Sequence, residues 1–255
     1  MKKQQVMMKH STMREMLDGE LGFVTGVKFE KQELEKVRTI VKTQWLNCIK
    51  QAVPQYVEAF AERGIDRYHE LAHLIDHHQV WSSVKNRLLP ASAVAELRTM
   101  SIFQKLEAEL GSFTIPDPYN WVTWEPIYFR LVRPEASSDV GPLHTDQWFW
   151  DLQNQTIPSG KVPFKVWIAI ECEPGLSGLR IVPGSHLKRF PYHGEMRHGI
   201  IKPQIDFKEE ELEIELFHSN PGEAIVFNHW LLHGGAVTEG SLTRVSLEFT
   251  ILVDN

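Results

Sequence analysis

The chain has 255 residues, 42% of them hydrophobic and 24% charged, with a formal net charge of −6. That length is enough for one large core, and an acidic balance with no run of Lys and Arg excludes a nucleic-acid footprint. Two cysteines in unrelated contexts, Cys48 and Cys172, exclude a disulfide framework, and no apolar run approaches membrane-spanning length.

The N-terminal MKKQQVMMKHSTMREM carries positive charge without an apolar stretch after it, so the expected location is cytoplasmic. Next comes GFVTGV (Gly22–Val27), which reads as a single strand. From about Lys31 to Leu110 apolar residues recur at helical spacing. Leu34, Val37, Ile40 and Val41 form one stripe, and Val94, Leu97 and Ile102 belong to another. Pro54 and Pro90 divide this region into three or four helices. After FTIPDPYN the pattern changes to short runs rich in Val, Ile, Phe, Trp and Thr between turn residues: WEPIYFRLV, KVPFKVWIAIE, GLRIVPG, GEAIVFN and TRVSLEFTILV. No helix-sized segment separates most of them, so antiparallel pairing is expected. The expectation is a single α+β domain over 1–255. A mainly helical part (1–115) backs a double-stranded sheet barrel (116–255) whose open mouth suits a metal and a small ligand.

Within the helical part, RYHELAHLIDHHQVW (Arg67–Trp81) contains HELAH, an H-E-x-x-H. On a helix this spacing sets His69 and His73 on one face, where they can hold zinc while Glu70 activates a water. His77 extends the series, with His78 beside it. The third ligand is the difficulty. In the extended form of the motif the glycine position holds Asp76 and the histidine position holds Gln79, and nothing marks Glu96 as a distant substitute. In a chain with twelve histidines a chance match is not rare, so the expectation is a His-rich polar helix face rather than a zinc site.

GPLHTDQWFW (Gly141–Trp150) offers different chemistry. On a strand His144 and Asp146 project from one face and can reach one ion. With one more distant histidine they make a 2-His-1-carboxylate triad, which leaves three positions open on Fe(II). IVFNHWLLHGG supplies two candidates, His229 and His233. Arg244, eleven residues past His233 across the loop GGAVTEGS, favours His233. Arg244, Ser246, Glu248 and Thr250 share one face of the last strand; Val245, Leu247, Phe249 and Ile251 share the other. An arginine pointing into a barrel needs an anion, and a dicarboxylate held at its far end by that guanidinium meets the need.

HTD (His144–Asp146), WIAIE (Trp167–Glu171), VPGSH (Val182–His186) and LLHGG with Arg244 resemble, in order and spacing over roughly residues 120–255, the phytanoyl-CoA dioxygenase-like branch of Fe(II)/2-oxoglutarate oxygenases. The segment GFVTGVKFEKQELEKVR is similar too, though less specific. The resemblance implies a double-stranded β-helix (jelly-roll, cupin-like) core. It implies His144, Asp146 and His233 as iron ligands and Arg244 on the C5 carboxylate of 2-oxoglutarate, with Thr145, Trp167 and Tyr128 as co-substrate contacts. Some relatives carry a hydroxyl residue two after the distal histidine; here Gly235 stands there, and Ser246 is the expected replacement. Relatives that halogenate lack the carboxylate that Asp146 keeps, so hydroxylation is the favoured outcome, with desaturation, epoxidation and ring closure open to the same ligands.

The cofactors so implied are Fe(2+), 2-oxoglutarate and O2. The expected partner is a small, polar or anionic molecule, with Arg130, Arg133, Lys165 and Arg180 as candidate contacts; neither a membrane nor a nucleic acid is expected. The absence of a targeting presequence and the short loops point to a small-molecule tailoring or catabolic enzyme. Trp148, Phe149 and Trp150 are either core aromatics or the wall of the substrate pocket, and His229 and His186 are expected to be structural. Two other classes compete: a non-catalytic jelly-roll binding protein, and the zinc hydrolase of the HELAH motif.

Overall fold

The computed structural model describes residues 12–82, 84–117, 120–197 and 200–255. Among these the strands are β1 (Phe23–Lys28), β2 (Phe113–Thr114), β3 (Tyr128–Val132), β4 (Lys161–Glu171), β5 (Gly178–Ile181), β6 (Tyr192–Arg197), β7 (Ile200–Ile205), β8 (Glu215–His218), β9 (Glu223–Asn228), β10 (His233–Gly235) and β11 (Arg244–Asp254). The helices are α1 (Met13–Leu17), α2 (Lys31–Ala52), α3 (Val57–Arg63), α4 (Tyr68–Leu71), α5 (His77–Ser82), α6 (Val84–Arg87), α7 (Ala91–Leu97), α8 (Ser101–Leu110) and α9 (Asp146–Leu152).

The larger sheet runs β1-β9-β4-β11, and the outer edge of β11 is shared. β3 pairs with Arg244–Glu248, and β2 pairs further along with Leu252 and Val253. A smaller sheet, β10-β5-β8, lies opposite, and β6-β7 forms a separate ribbon. All these pairings are antiparallel. The architecture is the α+β arrangement that the pattern implied, with the jelly-roll core that the resemblance implied.

Alternation along β11 decides which way the large sheet faces. Val245, Leu247, Phe249 and Ile251 are buried in the main core with residues of the helices, whereas Arg244 and Glu248 line a cavity between the sheets. One-residue slippage would turn the charges into the apolar core and the apolar set toward the cavity, so the register is strongly specified. The helical layer packs on the outer apolar face. From α2 it contributes Leu34, Val37, Val41, Trp45 and Ile49, a repeat of three or four residues on one helix face. Trp45 meets Phe60 and Tyr68 edge-on at 6.0 and 6.3 Å.

The helical region is more broken than the expected three or four helices. Pro54 opens a 3-10 turn, and Gly64, at φ 91, ends α3 in a conformation that costs most residues. Ile75 is extended, which separates α4 and its following turn from α5. β1 falls where GFVTGV placed a strand and pairs with β9. Cys48 and Cys172 are both free and buried. No described helix is long and apolar enough to cross a membrane.

Candidate active site

His144 and His233 are joined through their backbones. Each peptide N–H donates to the other's carbonyl at 2.9 Å, a single antiparallel bridge outside the regular ladders. The imidazole centroids sit 4.5 Å apart. His144 and Asp146 do not share a strand, as the sequence led us to expect. Thr145 is extended at the helix cap and Asp146 is the first residue of α9, where a carboxylate is favoured by the helix dipole. The turn delivers the same convergence. Ligand atoms of His144, Asp146 and His233 all lie within 4.8 Å of one another, and His233 Nε2 is 3.8 Å from Asp146 Oδ2.

The tautomers of both histidines follow from their partners. Nδ1 of His144 is 2.9 Å from the Pro142 carbonyl, and Nδ1 of His233 is 3.0 Å from that of Leu231. A carbonyl can only accept, so each Nδ1 carries the proton and each Nε2 presents a lone pair. Burial, reinforced by His233, holds His144 down to about 3. Burial likewise lowers His233, against the pull of Asp146. Burial alone would raise Asp146, but Lys165, its Nζ 3.3 Å from Oδ1, and the histidines hold it below the usual carboxylate range. Asp146 Oδ2 is buried without a hydrogen-bond partner. Two lone pairs and an unpartnered carboxylate oxygen face one another, the donor set that a divalent iron fits.

Arg244 lies further along the same cavity and is 1% exposed. Its Nη1 donates to the carbonyls of Gly178 and of Ala236, the latter at 3.0 Å, while Nε and Nη2 are buried without an acceptor. Burial and the nearby Arg130 lower it to about 10, which leaves it charged at neutral pH. The guanidinium carbon stands 5.6 Å from the Trp167 ring centroid. Two orphaned N–H groups on a buried cation suit a bound carboxylate, so 2-oxoglutarate fits here. Trp167 and Tyr128 line the cavity; Thr145 and Ser246 are not among its lining residues, and both are buried with an unpartnered hydroxyl. At Gly235 an added Cβ would stand 3.1 Å from Val140 Cγ1 and 3.4 Å from Arg244 Nη2. That is little room for the hydroxyl side chain of some relatives.

The cavity encloses ≈380 Å³. Phe149 and Trp150 line it, with Phe149 edge-on to His144 at 5.2 Å, whereas Trp148 is core and stacks on Tyr192 at 4.5 Å. Of the four candidate cations, Arg130 and Lys165 line the cavity. Arg133 is locked to Asp139 at 2.7 Å and Arg180 to Glu209 at 2.8 Å. Sequence reasoning missed Arg87, Arg197 and Lys202, which also line it. They come from α6 and from the β6-β7 ribbon, and none carries a motif. His229 bonds to Gln147 behind Asp146, and His186 packs so closely on Gly22 that no side chain fits there.

HELAH does not form a helical zinc face. α4 ends at Leu71 and a 3-10 turn takes over at Ala72, so His69 and His73 lie on different elements. His69 Nδ1 pairs with Thr243 Oγ1 at 3.0 Å, and Glu70 is held by Arg63 and Arg67. The other described cluster with metal-ligand spacing is His77, His78 and Asp139. There Arg133 already forks the carboxylate.

The model of the family described as phytanoyl-CoA dioxygenase (PhyH) matches residues 36–244. Among curated proteins, none matches the sequence. Solved structures with the same fold include EvdO2 from Micromonospora carbonacea var. aurantiaca, 13% identical, with 95% of this chain and 90% of that chain covered and a TM-score of 0.58. EvdO2 has also been solved with 2-oxoglutarate. EctD from S. alaskensis, with 2-oxoglutarate and 5-hydroxyectoine, is 13% identical over 95% and 76% of the two chains, TM-score 0.55. The carbocyclase SnoK from nogalamycin biosynthesis, described as α-ketoglutarate dependent, is 12% identical over 92% and 80%, TM-score 0.52. At such identities the likeness is one of fold.

Proposed function

The chain belongs to the phytanoyl-CoA dioxygenase family of Fe(II)/2-oxoglutarate-dependent oxygenases, and from that premise we propose that it hydroxylates an aliphatic C–H bond of a small-molecule metabolite. Substrate, 2-oxoglutarate and O2 give the alcohol, succinate and CO2. His144, Asp146 and His233 hold the iron, and Arg244 holds the C5 carboxylate of 2-oxoglutarate, assisted by Thr145, Trp167, Tyr128 and Ser246. Iron(II), when bound there, would supply the coupling of 2-oxoglutarate oxidation by O2 to oxidation of the C–H bond.

The protein's own part is placement and shielding. The two Nδ1–H bonds to backbone carbonyls fix both imidazole planes and keep Nε2 unprotonated. Lys165 beside Asp146 keeps that carboxylate ionised, and the apolar rings of Phe149 and Phe227 keep bulk water from the histidines. Retention of a carboxylate at position 146 favours hydroxylation over halogenation.

The observation that carries the reading is the joint presence, in one cavity, of a His-Asp-His cluster and a buried arginine with two unpartnered N–H groups. The test is anaerobic addition of Fe(II) and 2-oxoglutarate to the purified protein, followed by O2. A visible charge-transfer band and succinate release are expected. Metal binding without either would favour a non-catalytic binding protein.

A further inference from the structure

The cavity has a second cationic corner, centred on Glu248. Arg244 and Glu248 share a face of β11 four residues apart, about 13 Å along the strand. Arg130 reaches Glu248 Oε1 with Nη2 at 2.9 Å and Nε at 3.3 Å, and Arg87 puts Nη1 3.4 Å from the same oxygen. One carboxylate therefore serves two guanidinium groups, and Arg87 Nε is buried with no acceptor. Lys202 lines the same cavity, and its side-chain ammonium has no hydrogen-bond or ion-pair partner among the described residues. Its partial burial, together with Arg130, Arg87 and Arg197 around it, lowers its pKa below the usual lysine value. Arg197 is already paired, with Glu195 and with Gln204 at 2.7 Å each.

With Arg197 neutralised by Glu195, the remaining charges of this corner are three positive (Arg87, Arg130, Lys202) against one negative (Glu248), in a chain whose net charge is −6. Half-buried cations crowded together are unfavourable unless an anion joins them. We propose that this corner binds the anionic head group, carboxylate or phosphate, of the substrate. Phe149 and Trp150 flank the substrate's body on the way to His144. The proposal rests on the oxygenase reading for calling this ligand the substrate; the anion site itself does not depend on it. A cavity of ≈380 Å³ shared with 2-oxoglutarate limits the enclosed part of the substrate to a small acid.

The test uses the full chain loaded with Mn(II) and 2-oxoglutarate. Inorganic phosphate, 3-phenylpropionate and the neutral 3-phenylpropionamide are titrated in, with binding followed by calorimetry and tryptophan fluorescence. At least one anion is expected to bind, about tenfold or more tighter than the amide. Phosphate alone would identify a phosphoryl head group, and 3-phenylpropionate alone a carboxylate. Lys202→Ala should weaken the anion about tenfold, Lys202→Arg should restore most of the loss, and neither should change the affinity for 2-oxoglutarate or the amide. Anions binding no better than the amide would overturn the proposal. So would a Lys202→Ala loss that falls on 2-oxoglutarate, because the corner would then belong to the co-substrate. If Fe(II) and 2-oxoglutarate give no charge-transfer band while the anion still binds through Lys202, the oxygenase reading fails and the anion site stands.

Discussion

The peptide groups of His144 and His233 hydrogen-bond each other in both directions, so the backbone sets the two imidazoles side by side. Their Nδ1 atoms are also satisfied by backbone carbonyls. Removing one imidazole therefore takes away a donor atom while the bridge that shapes the site remains.

His233→Ala is accordingly expected to keep the fold and lose the metal. Losing an outer-shell partner alone costs about 10–100-fold in metal affinity, so losing a ligand should cost more than about a hundredfold. Titration with Co(II) or Mn(II) measures the affinity, and circular dichroism of the metal-free protein checks the fold. Wild-type metal affinity in this variant would remove His233 from the site.

Arg244 gives a prediction with two signs. Its charge is buried against carbonyl oxygens, with no carboxylate in ion-pair range among the described residues. Replacing a poorly compensated buried charge with an apolar side chain of similar size is often neutral or stabilising by about 1–4 kcal/mol. Arg244→Met should therefore melt no lower than wild type without ligands, and up to several degrees higher. The same change should abolish the stabilisation that 2-oxoglutarate confers on the wild type. Thermal melts with and without 2-oxoglutarate read both effects. A variant that melts lower and still responds to 2-oxoglutarate would contradict the assignment.

The residues legible in the sequence were those governed by short-range rules. Period-two alternation in TRVSLEFTILV separated the core face of β11 from its cavity face, and it already placed Glu248 with Arg244. The HTD and LLHGG segments pointed to the triad although the backbone expected between His144 and Asp146 was wrong. A strand and a cap-to-helix turn both bring residues i and i+2 to one side, so the convergence survived. Arg87 and Lys202 were not legible. Their meeting depends on how α6 and the β6-β7 ribbon close over the cavity, a tertiary arrangement with no local signature. The HELAH motif failed the other way: its letters fit a helix, but the chain tightens to a 3-10 turn at Ala72.

That failure is itself testable. His73 is exposed and lies outside both clusters with metal-ligand spacing among the described residues. His73→Ala should change stability by no more than about 0.5 kcal/mol, as expected for an exposed side chain without special contacts, with metal stoichiometry unaltered. Loss of one bound metal equivalent, read by elemental analysis, would revive the zinc reading. His69 is a poorer probe, because its contact with Thr243 adjoins Arg244.

His77 sits in a chain of hydrogen-bonding groups: Trp81 Nε1 donates to the Tyr68 hydroxyl at 3.0 Å, and that hydroxyl is 3.0 Å from His77 Nδ1. His77 Nε2 is 3.3 Å from the Asp139 carboxylate, which Arg133 also holds. A neutral imidazole with its proton on Nε2 satisfies every member, with Tyr68 donating to Nδ1. A second proton on Nδ1 would oppose the Tyr68 O–H. Burial, only partly offset by Asp139, pushes His77 down to about 4, against about 6.5 in an unfolded chain. Between those values the unfolded chain binds more protons than the folded one, so this contribution is complete above about pH 6.5 and lost as the pH falls toward 4. The full effect is on the order of 3 kcal/mol. His77→Asn cannot titrate. The difference in unfolding free energy between wild type and this variant should therefore move by about that amount, against the wild type, between pH 7 and pH 4. Denaturant unfolding of the metal-free proteins across that range measures it, and a difference that stays constant with pH would show that His77 does not titrate as a buried neutral imidazole.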